Sequence, residues 1–228
     1  LLARPDMPLP ALCLVASGGH TALWLLRAPL DAERLGTTRD DAAGEALDKG
    51  AALLGLPYPG GPSIERAAKN GNAKAVDLPR SLLGPDSLDF SFSGLKTALL
   101  YHLRGPGVTE APPSLTSAQV ADLAASYQAA VVDVLIHKLR RTVQRFAVKS
   151  LCIGGGVARN LLLRQRLQED RALSALEIVL PEMSLCSDNG AMIAFVGHLQ
   201  LQRGLVASLD LDATATPQSG GKAKARSQ

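Results

Sequence analysis

Two short apolar runs, Ala11 to Ala16 and Thr21 to Arg27, flank the tetrad Ser17-Gly18-Gly19-His20, a pattern that predicts a β-hairpin closed by a tight glycine turn. From Thr38 the period changes. Ala42, Ala46, Leu47, Leu53 and Leu54 roughly follow helical spacing until Gly55 and Pro57 stop them. Thr38 and Asp41 stand at capping-box spacing, with Asp in place of Glu or Gln, and place the start of that helix near Thr38. A shorter helix is predicted from Pro62 through Asn70. Leu88 to Phe92 alternates as a strand does, and Gly94 leads into a helix over Leu95 to Leu103. The Gly- and Pro-rich stretch from Gly105 to Ser114 reads as a loop or lid between two halves. Ser117 then caps a long helix, Ala118 to about Phe146, whose Val120, Leu123, Ala124, Tyr127, Val131, Leu135 and Leu139 form a buried stripe. A strand at Ser150 to Ile153, a helix at Ala158 to Leu167, a strand at Leu176 to Leu180 and a helix at Asn189 to Gln202 complete the pattern. Strand and helix in alternation mark an α/β layered fold.

With 228 residues, 46% of them hydrophobic, the chain can bury a substantial core as one large or two small domains. No linker precedes Ala213, which favours one compact unit over residues 1–212. The formal net charge of +3 is accounted for by Lys222, Lys224 and Arg226 in the acid-free tail, leaving the body neutral. That tail, residues 213–228, reads as a solvated, disordered basic end, with RNA binding as the functional alternative. Cys13, Cys152 and Cys186 contain no CxxC pair, and Cys13 and Cys152 sit in strand-like runs, so reduced, buried thiols are expected. No uninterrupted apolar run approaches the roughly 20 residues of a membrane-spanning helix, and no signal-peptide pattern opens the chain. A soluble cytoplasmic protein without a membrane partner is the expectation. The first residue is Leu1 and not a methionine, as in a sequence that begins mid-protein.

Candidate chemistry is concentrated in a few places. The backbone amides of Ser17-Gly18-Gly19 can approach an anion without side-chain obstruction, although a glycine hairpin is often only a hairpin. Gly154-Gly155-Gly156 follows a strand and opens a helix, which sets a helix N-terminus where a nucleotide can lie. It is not GxGxxG, so a dinucleotide cofactor is disfavoured, and Asn160 can offer an amide to a ribose or base. Asp41, Glu45 and Asp48 fall at i, i+4 and i+7 and would share one helix face, either as a solvated stripe or as ligand contacts. The turn Pro59-Gly60-Gly61-Pro62 and then Glu65 follow, and can bring Asp48, Gly61 and Glu65 around one polar ligand. Asp188 reads as the N-cap of the last helix or, given further ligands, as a metal ligand. His20, His102, His137 and His198 make no HxxH, HxxxH or HExxH pattern.

Five motifs, in this order and at these separations, resemble the TsaD family, whose archaeal and eukaryotic members belong to the KEOPS complex. They are Ser17-Gly18-Gly19-His20-Thr21, the stretch from Thr38 to Pro62, Asp89 to Lys96, Gly154 to Asn160, and Cys186 to Met192. The resemblance runs from about Ala11 to Gln200. It implies the actin-like ATPase fold (ASKHA, ribonuclease H-like), shared with sugar kinases and heat-shock chaperones, in which two related lobes clamp a nucleotide. This chain would supply mainly the second lobe. The implied activity is transfer of the threonylcarbamoyl group from threonylcarbamoyl-AMP to N6 of adenosine 37 in tRNAs that read ANN codons. Carried over residue by residue, the family's substrate-binding positions fall on Val15, Ala16, Ser17, Gly18 and Gly19, and on Asp48, Gly61 and Asn160. Glu65 resembles a ribose-contacting glutamate of some members, and Asp188 matches the family's metal-binding aspartate. One divalent metal, iron or zinc, is implied, together with tRNA and with TsaB-like and TsaE-like protein partners.

The departure from the family lies at the start of the sequence. The resemblance implies a first lobe ending in an HxxxH pair that supplies two metal ligands, and this sequence opens just after that point. Asp188 is then left alone, whereas iron and zinc take several N, O or S ligands. Two readings therefore stand side by side: a transferase, and a truncated, non-catalytic nucleotide-binding or dimerisation module of the same fold. A kinase of that fold would need a catalytic aspartate and phosphate loops that are not evident.

Overall fold

The computed structural model describes residues 1–107 and 114–212. Most of the Gly105 to Ser114 loop and all of the basic tail lie outside the described residues. A mixed five-stranded sheet forms the centre: β1 (Ala11–Ala16), β2 (Thr21–Ala28), β3 (Asp31–Thr37), β4 (Ser150–Gly154) and β5 (Glu177–Val179), in the order β3-β2-β1-β4-β5. The first three strands run antiparallel, and β4 and β5 join parallel to β1. Side chains alternate across the pleat, so Leu12, Leu14 and Ala16 enter the main core with Leu23, Leu151 and Ile153, while Cys13 and Val15 face the other way. Cys13 and Cys152 are directly opposed in the β1–β4 register, with sulfurs 2.9 Å apart; all three cysteines are free thiols, but only Cys186 is buried, Cys13 and Cys152 being half-buried because they lie on the sheet face away from the main core.

The described residues also form six helices: α1 (Ala43–Leu53), α2 (Gly60–Ala68), α3 (Ser93–Arg104), α4 (Ser117–Arg145), α5 (Leu161–Glu169) and α6 (Gly190–Gln202). The capping position of α4 is Thr116 and not Ser117. The Thr116 hydroxyl accepts from the Gln119 amide at 3.3 Å, and the Gln119 side chain accepts from the Thr116 amide at 2.9 Å, a complete capping box. By length and composition α4 is apolar enough to cross a membrane, but 72% of that window is buried inside the protein. All of the expected stripe is buried except Val120, which is half-buried. At its centre the Tyr127 hydroxyl donates to the Ala46 carbonyl of α1 at 2.8 Å, and burial pushes that phenol well above its ordinary range.

Three expectations change. Asp31–Thr37 forms β3, an edge strand whose charged residues carry no apolar alternation; pairing with β2 creates it, and charge on an edge discourages a further strand from adding. The stretch Leu88 to Phe92 makes a single bridge, Thr38 to Phe90, because Asp40 captures the next residues: its carboxylate accepts from the Phe92 and Ser93 amides and from the Ser91 and Ser93 hydroxyls. Burial pushes the Asp40 carboxyl upward, and those four donors outweigh it and hold it below the usual carboxylate range. Finally, α1 starts at Ala43. The Thr38 hydroxyl donates to the Asp41 carbonyl at 2.6 Å without capping a helix, and the Glu45 carboxylate accepts from the Ala42 amide at 3.4 Å instead.

Lys138, fully buried on α4, donates from Nζ to the Leu82 and Ser87 carbonyls at 2.6 and 2.7 Å, tying down the segment that leads to Asp89. Desolvation, aided by the nearby Arg141, lowers its pKa from 10.5 to about 8. The unfolded chain therefore binds more protons than the folded one between these values, and stability should rise with pH across that window. Chemical denaturation at several pH values checks this: the stability advantage of the wild type over Lys138→Met should widen from about pH 8 to 10.5.

The last helix, α6, is apolar nearly all round, yet none of its residues is buried; Ile193 is 71% exposed and Leu201 66%. Helices of that composition are normally covered.

Candidate functional site

A cleft of about 530 Å³ opens where the β1–β2 turn, α1, α2, α5 and the segment after β5 converge. Leu47, Pro59, Pro62, Val157, Leu161 and Met183 give it apolar walls, and Asp48, Glu65, Arg159, Asn160 and Ser187 give it polar positions. Tyr58, 83% exposed, also lines it, and the backbone of Gly18, Gly44, Gly61 and Gly156 completes it. Apolar walls with a few convergent polar groups suit a small organic ligand.

The two carboxylates are held in the same manner. Asp48 Oδ1 accepts from the amide of Gly60, the first residue of α2, at 2.7 Å, and Glu65 Oε1 accepts from the amide of Leu161, the first residue of α5, at 2.6 Å. Each thereby satisfies an orphan donor at a helix N-terminus and fixes its own side chain, and each keeps a second oxygen with no protein donor among the described residues. Asn160 Oδ1 accepts from the Leu163 amide at 3.0 Å, so the side-chain oxygen is the N-cap of α5 and its amide nitrogen is the end left for a ligand. Asn160→Ala should therefore destabilise the protein by about 1 kcal/mol, read as a Tm drop of roughly 2–4 °C, whereas Asn160→Ser, which keeps a cap, should show less than half of that by thermal unfolding.

Two glycine positions set the walls. Gly155 has φ +87°, open to glycine at little cost, and a Cβ there would collide with the Ala16 carbonyl oxygen of β1. At Gly44, in the first turn of α1, a Cβ would sit 2.6 Å from the Ser17 carbonyl oxygen, while the Gly44 amide donates to that same oxygen at 3.0 Å. Close approach of α1 to the hairpin turn explains a glycine inside a helix, and that helix glycine was the available signal for a contact the motifs did not reveal.

Of the run Val15 to Gly19, Gly18 reaches the cleft wall. Val15 is 37% exposed on the sheet, Ala16 is buried, and Ser17 is occupied by the turn, its hydroxyl accepting from the His20 amide at 3.1 Å. Gly19 is not among the lining residues, whereas Asp48, Gly61, Glu65 and Asn160 all are. The shared acidic face is not formed as expected: Asp41 precedes α1, and Lys49 Nζ pairs with Asp41 at 2.6 Å and with Glu45 at 3.0 Å, which leaves Asp48 alone toward the cleft. Asp188 is not the cap of α6 either. Asn189 takes that role, accepting from the Met192 amide at 3.0 Å, and Asp188 is exposed beside the lining residue Ser187. No group of three His, Cys, Asp or Glu residues that could hold a metal occurs among the described residues. A lone exposed carboxylate does not fit iron or zinc, so no chemistry is routed through a metal here.

The profile of one protein family, tRNA N6-adenosine threonylcarbamoyltransferase, matches residues 2–195. The chain belongs to this family, TsaD. A family member from Anaeromyxobacter sp. (strain Fw109-5) is 49% identical over 205 residues, covering 90% of this chain and 60% of the relative. One from Thermomicrobium roseum is 48% identical over 92% of this chain and 60% of its own length. The chain thus spans about 60% of the length of the TsaD relatives that it matches. Among solved structures, the crystal structure of T. kodakarensis HypF superposes with a TM-score of 0.50 at 21% identity, over 78% of this chain and 22% of that one, a likeness of fold alone. With the strand order β3-β2-β1-β4-β5 and the TsaD match, the fold is of the actin-like ATPase type.

Proposed function

We propose that this chain carries the adenylate-binding cleft of a tRNA N6-adenosine threonylcarbamoyltransferase. The observation that carries the reading is the convergence of Gly18, Asp48, Gly61, Glu65 and Asn160 on one cleft, in a chain nearly half identical to proteins of that name. The free oxygens of Asp48 and Glu65 are suited to accept from ribose hydroxyls. The Gly18 turn and Arg159 suit the phosphate, because unobstructed backbone amides and a guanidinium favour an anion. The donor is threonylcarbamoyl-AMP and the acceptor N6 of adenosine 37 in tRNAs that read ANN codons. N6 attacks the carbamoyl carbon, a C–N bond forms, the bond from that carbon to the phosphate oxygen breaks, and AMP leaves while N6 gives up one proton. What these residues contribute is orientation of the mixed anhydride toward the acceptor. The divalent metal, with Asp188 as one ligand, needs its remaining ligands from outside the described residues. TsaB-like and TsaE-like partners and a cytosolic setting belong to the same reading.

The test is the tRNA itself. In cells where this gene is the sole source of the activity, mass spectrometry of tRNA nucleosides should show N6-threonylcarbamoyladenosine, and Glu65→Gln should reduce it about tenfold, the loss of one charge-assisted hydrogen bond. Unaltered modification after loss of the gene would overturn the assignment.

A further inference from the structure

The cleft has two walls that the backbone joins only distantly. One is the turn from Gly154 to Asn160 at the end of β4, which contributes Gly156, Val157, Arg159 and Asn160. The other is the segment from Pro181 to Asp188 after β5, which contributes Met183 and Ser187. Between β4 and β5 themselves the pairing spans three residues, Ser150 to Cys152 against Glu177 to Val179, and stops short of both walls.

Arg164, one turn into α5, bridges the gap. Its Nε donates to the Ala158 carbonyl at 2.7 Å, and its Nη2 donates to the Pro181 carbonyl at 2.6 Å and to Cys186 Sγ at 3.3 Å. Ala158 and Cys186 are both 1% exposed, so these contacts lie beneath the cleft surface. Among the described residues no other hydrogen bond joins residues 154–160 to residues 181–188. The planar guanidinium can reach three acceptors on two segments at fixed angles, which an ammonium cannot reproduce.

We propose that Arg164 is a positioning residue of the cleft: by holding Ala158 on one side and Pro181 and Cys186 on the other, it sets the separation between the wall bearing Asn160 and Arg159 and the wall bearing Met183 and Ser187. The consequence for binding rests on the adenylate reading above. Without the clamp, the Pro181 to Asp188 segment must be ordered when ligand arrives, and that cost appears as weaker affinity.

The test uses Arg164→Met and Arg164→Lys in the full chain, with Arg80→Met as a control, since Arg80 also ties distant segments, Leu78 to Asp133, outside the cleft. Amide hydrogen exchange without ligand should quicken over residues 182–188 in Arg164→Met and stay unchanged there in Arg80→Met. AMP should bind about tenfold more weakly to Arg164→Met, with the lysine variant between it and wild type, while Arg80→Met lowers Tm and leaves AMP affinity intact. Unchanged exchange over 182–188, or faster exchange with unaltered AMP affinity, would each overturn the proposal. If wild-type protein binds no AMP, the adenylate reading fails, and the exchange result alone then decides whether Arg164 holds the two walls together.

Discussion

Gly155→Ala is expected to cost about 3 kcal/mol or more, because a left-handed backbone and a backbone collision act at one position. The φ of +87° disfavours any L side chain, and the new methyl would meet the carbonyl oxygen of Ala16, which belongs to the central strand and cannot swing aside as a side chain can. Relief requires β1 to part from the turn after β4, and that turn carries Gly156, Val157, Arg159 and Asn160 of the cleft. For a chain of this size the loss corresponds to a Tm lower by roughly 6–12 °C. Gly156→Ala is the control: a Cβ there meets nothing within 4 Å and its φ is not positive, so thermal unfolding should barely move. Equal behaviour of the two variants would show that the collision at Gly155 is relieved cheaply.

The same contrast explains what the sequence could and could not reveal. Where burial is periodic, as in the Leu12-Leu14-Ala16 strand or the Leu123 to Leu139 stripe, the apolar pattern records the environment directly and the elements appear within a residue or two of their expected ends. β3 has no such record, since an edge strand carries its charges outward and exists through its partner β2. The start of α1 was hidden for a different reason. Thr38 and Asp41 form a plausible local cap, but Asp40 is bound to Ser91, Phe92 and Ser93, fifty residues away, and that tertiary commitment keeps residues 39–41 in bends, so that the helix begins only at Ala43. At the cleft, Asp48, Gly61 and Asn160 are legible because they lie within motifs, and Glu65 because it follows one directly on the next helix. Tyr58, Arg159 and Ser187 sit in the same motifs, but no local pattern marks them as cleft residues; Met183 and Arg164 lie outside the motifs, and their roles come only from how the segments meet. Asp188 shows the converse: a motif marks it, yet it stands exposed, without the companions a metal requires among the described residues.

Asp48 carries two roles that a single substitution would confuse. One oxygen holds the Gly60 amide and with it the first turn of α2; the other is left for ligand. Asp48→Ala removes both and should destabilise the protein by about 1 kcal/mol, the usual cost of a lost helix cap, in addition to abolishing binding. Asp48→Asn separates them. Its side-chain oxygen can still accept from Gly60, so Tm should stay within about 2 °C of wild type, less than 1 kcal/mol for a chain of this size. The negative charge is gone, however, and an amide nitrogen stands where a ribose hydroxyl would donate. Replacing a charge-assisted bond by a mismatched donor pair removes about 2–3 kcal/mol, so AMP affinity measured by calorimetry should fall roughly 30- to 150-fold while the fold is preserved. Wild-type affinity in Asp48→Asn would mean that this carboxylate is a helix cap alone and that the ribose lies elsewhere in the cleft. A large Tm loss in the same variant would instead show that the charge, and not only the acceptor, anchors α2, as expected for a carboxylate at the positive end of a helix.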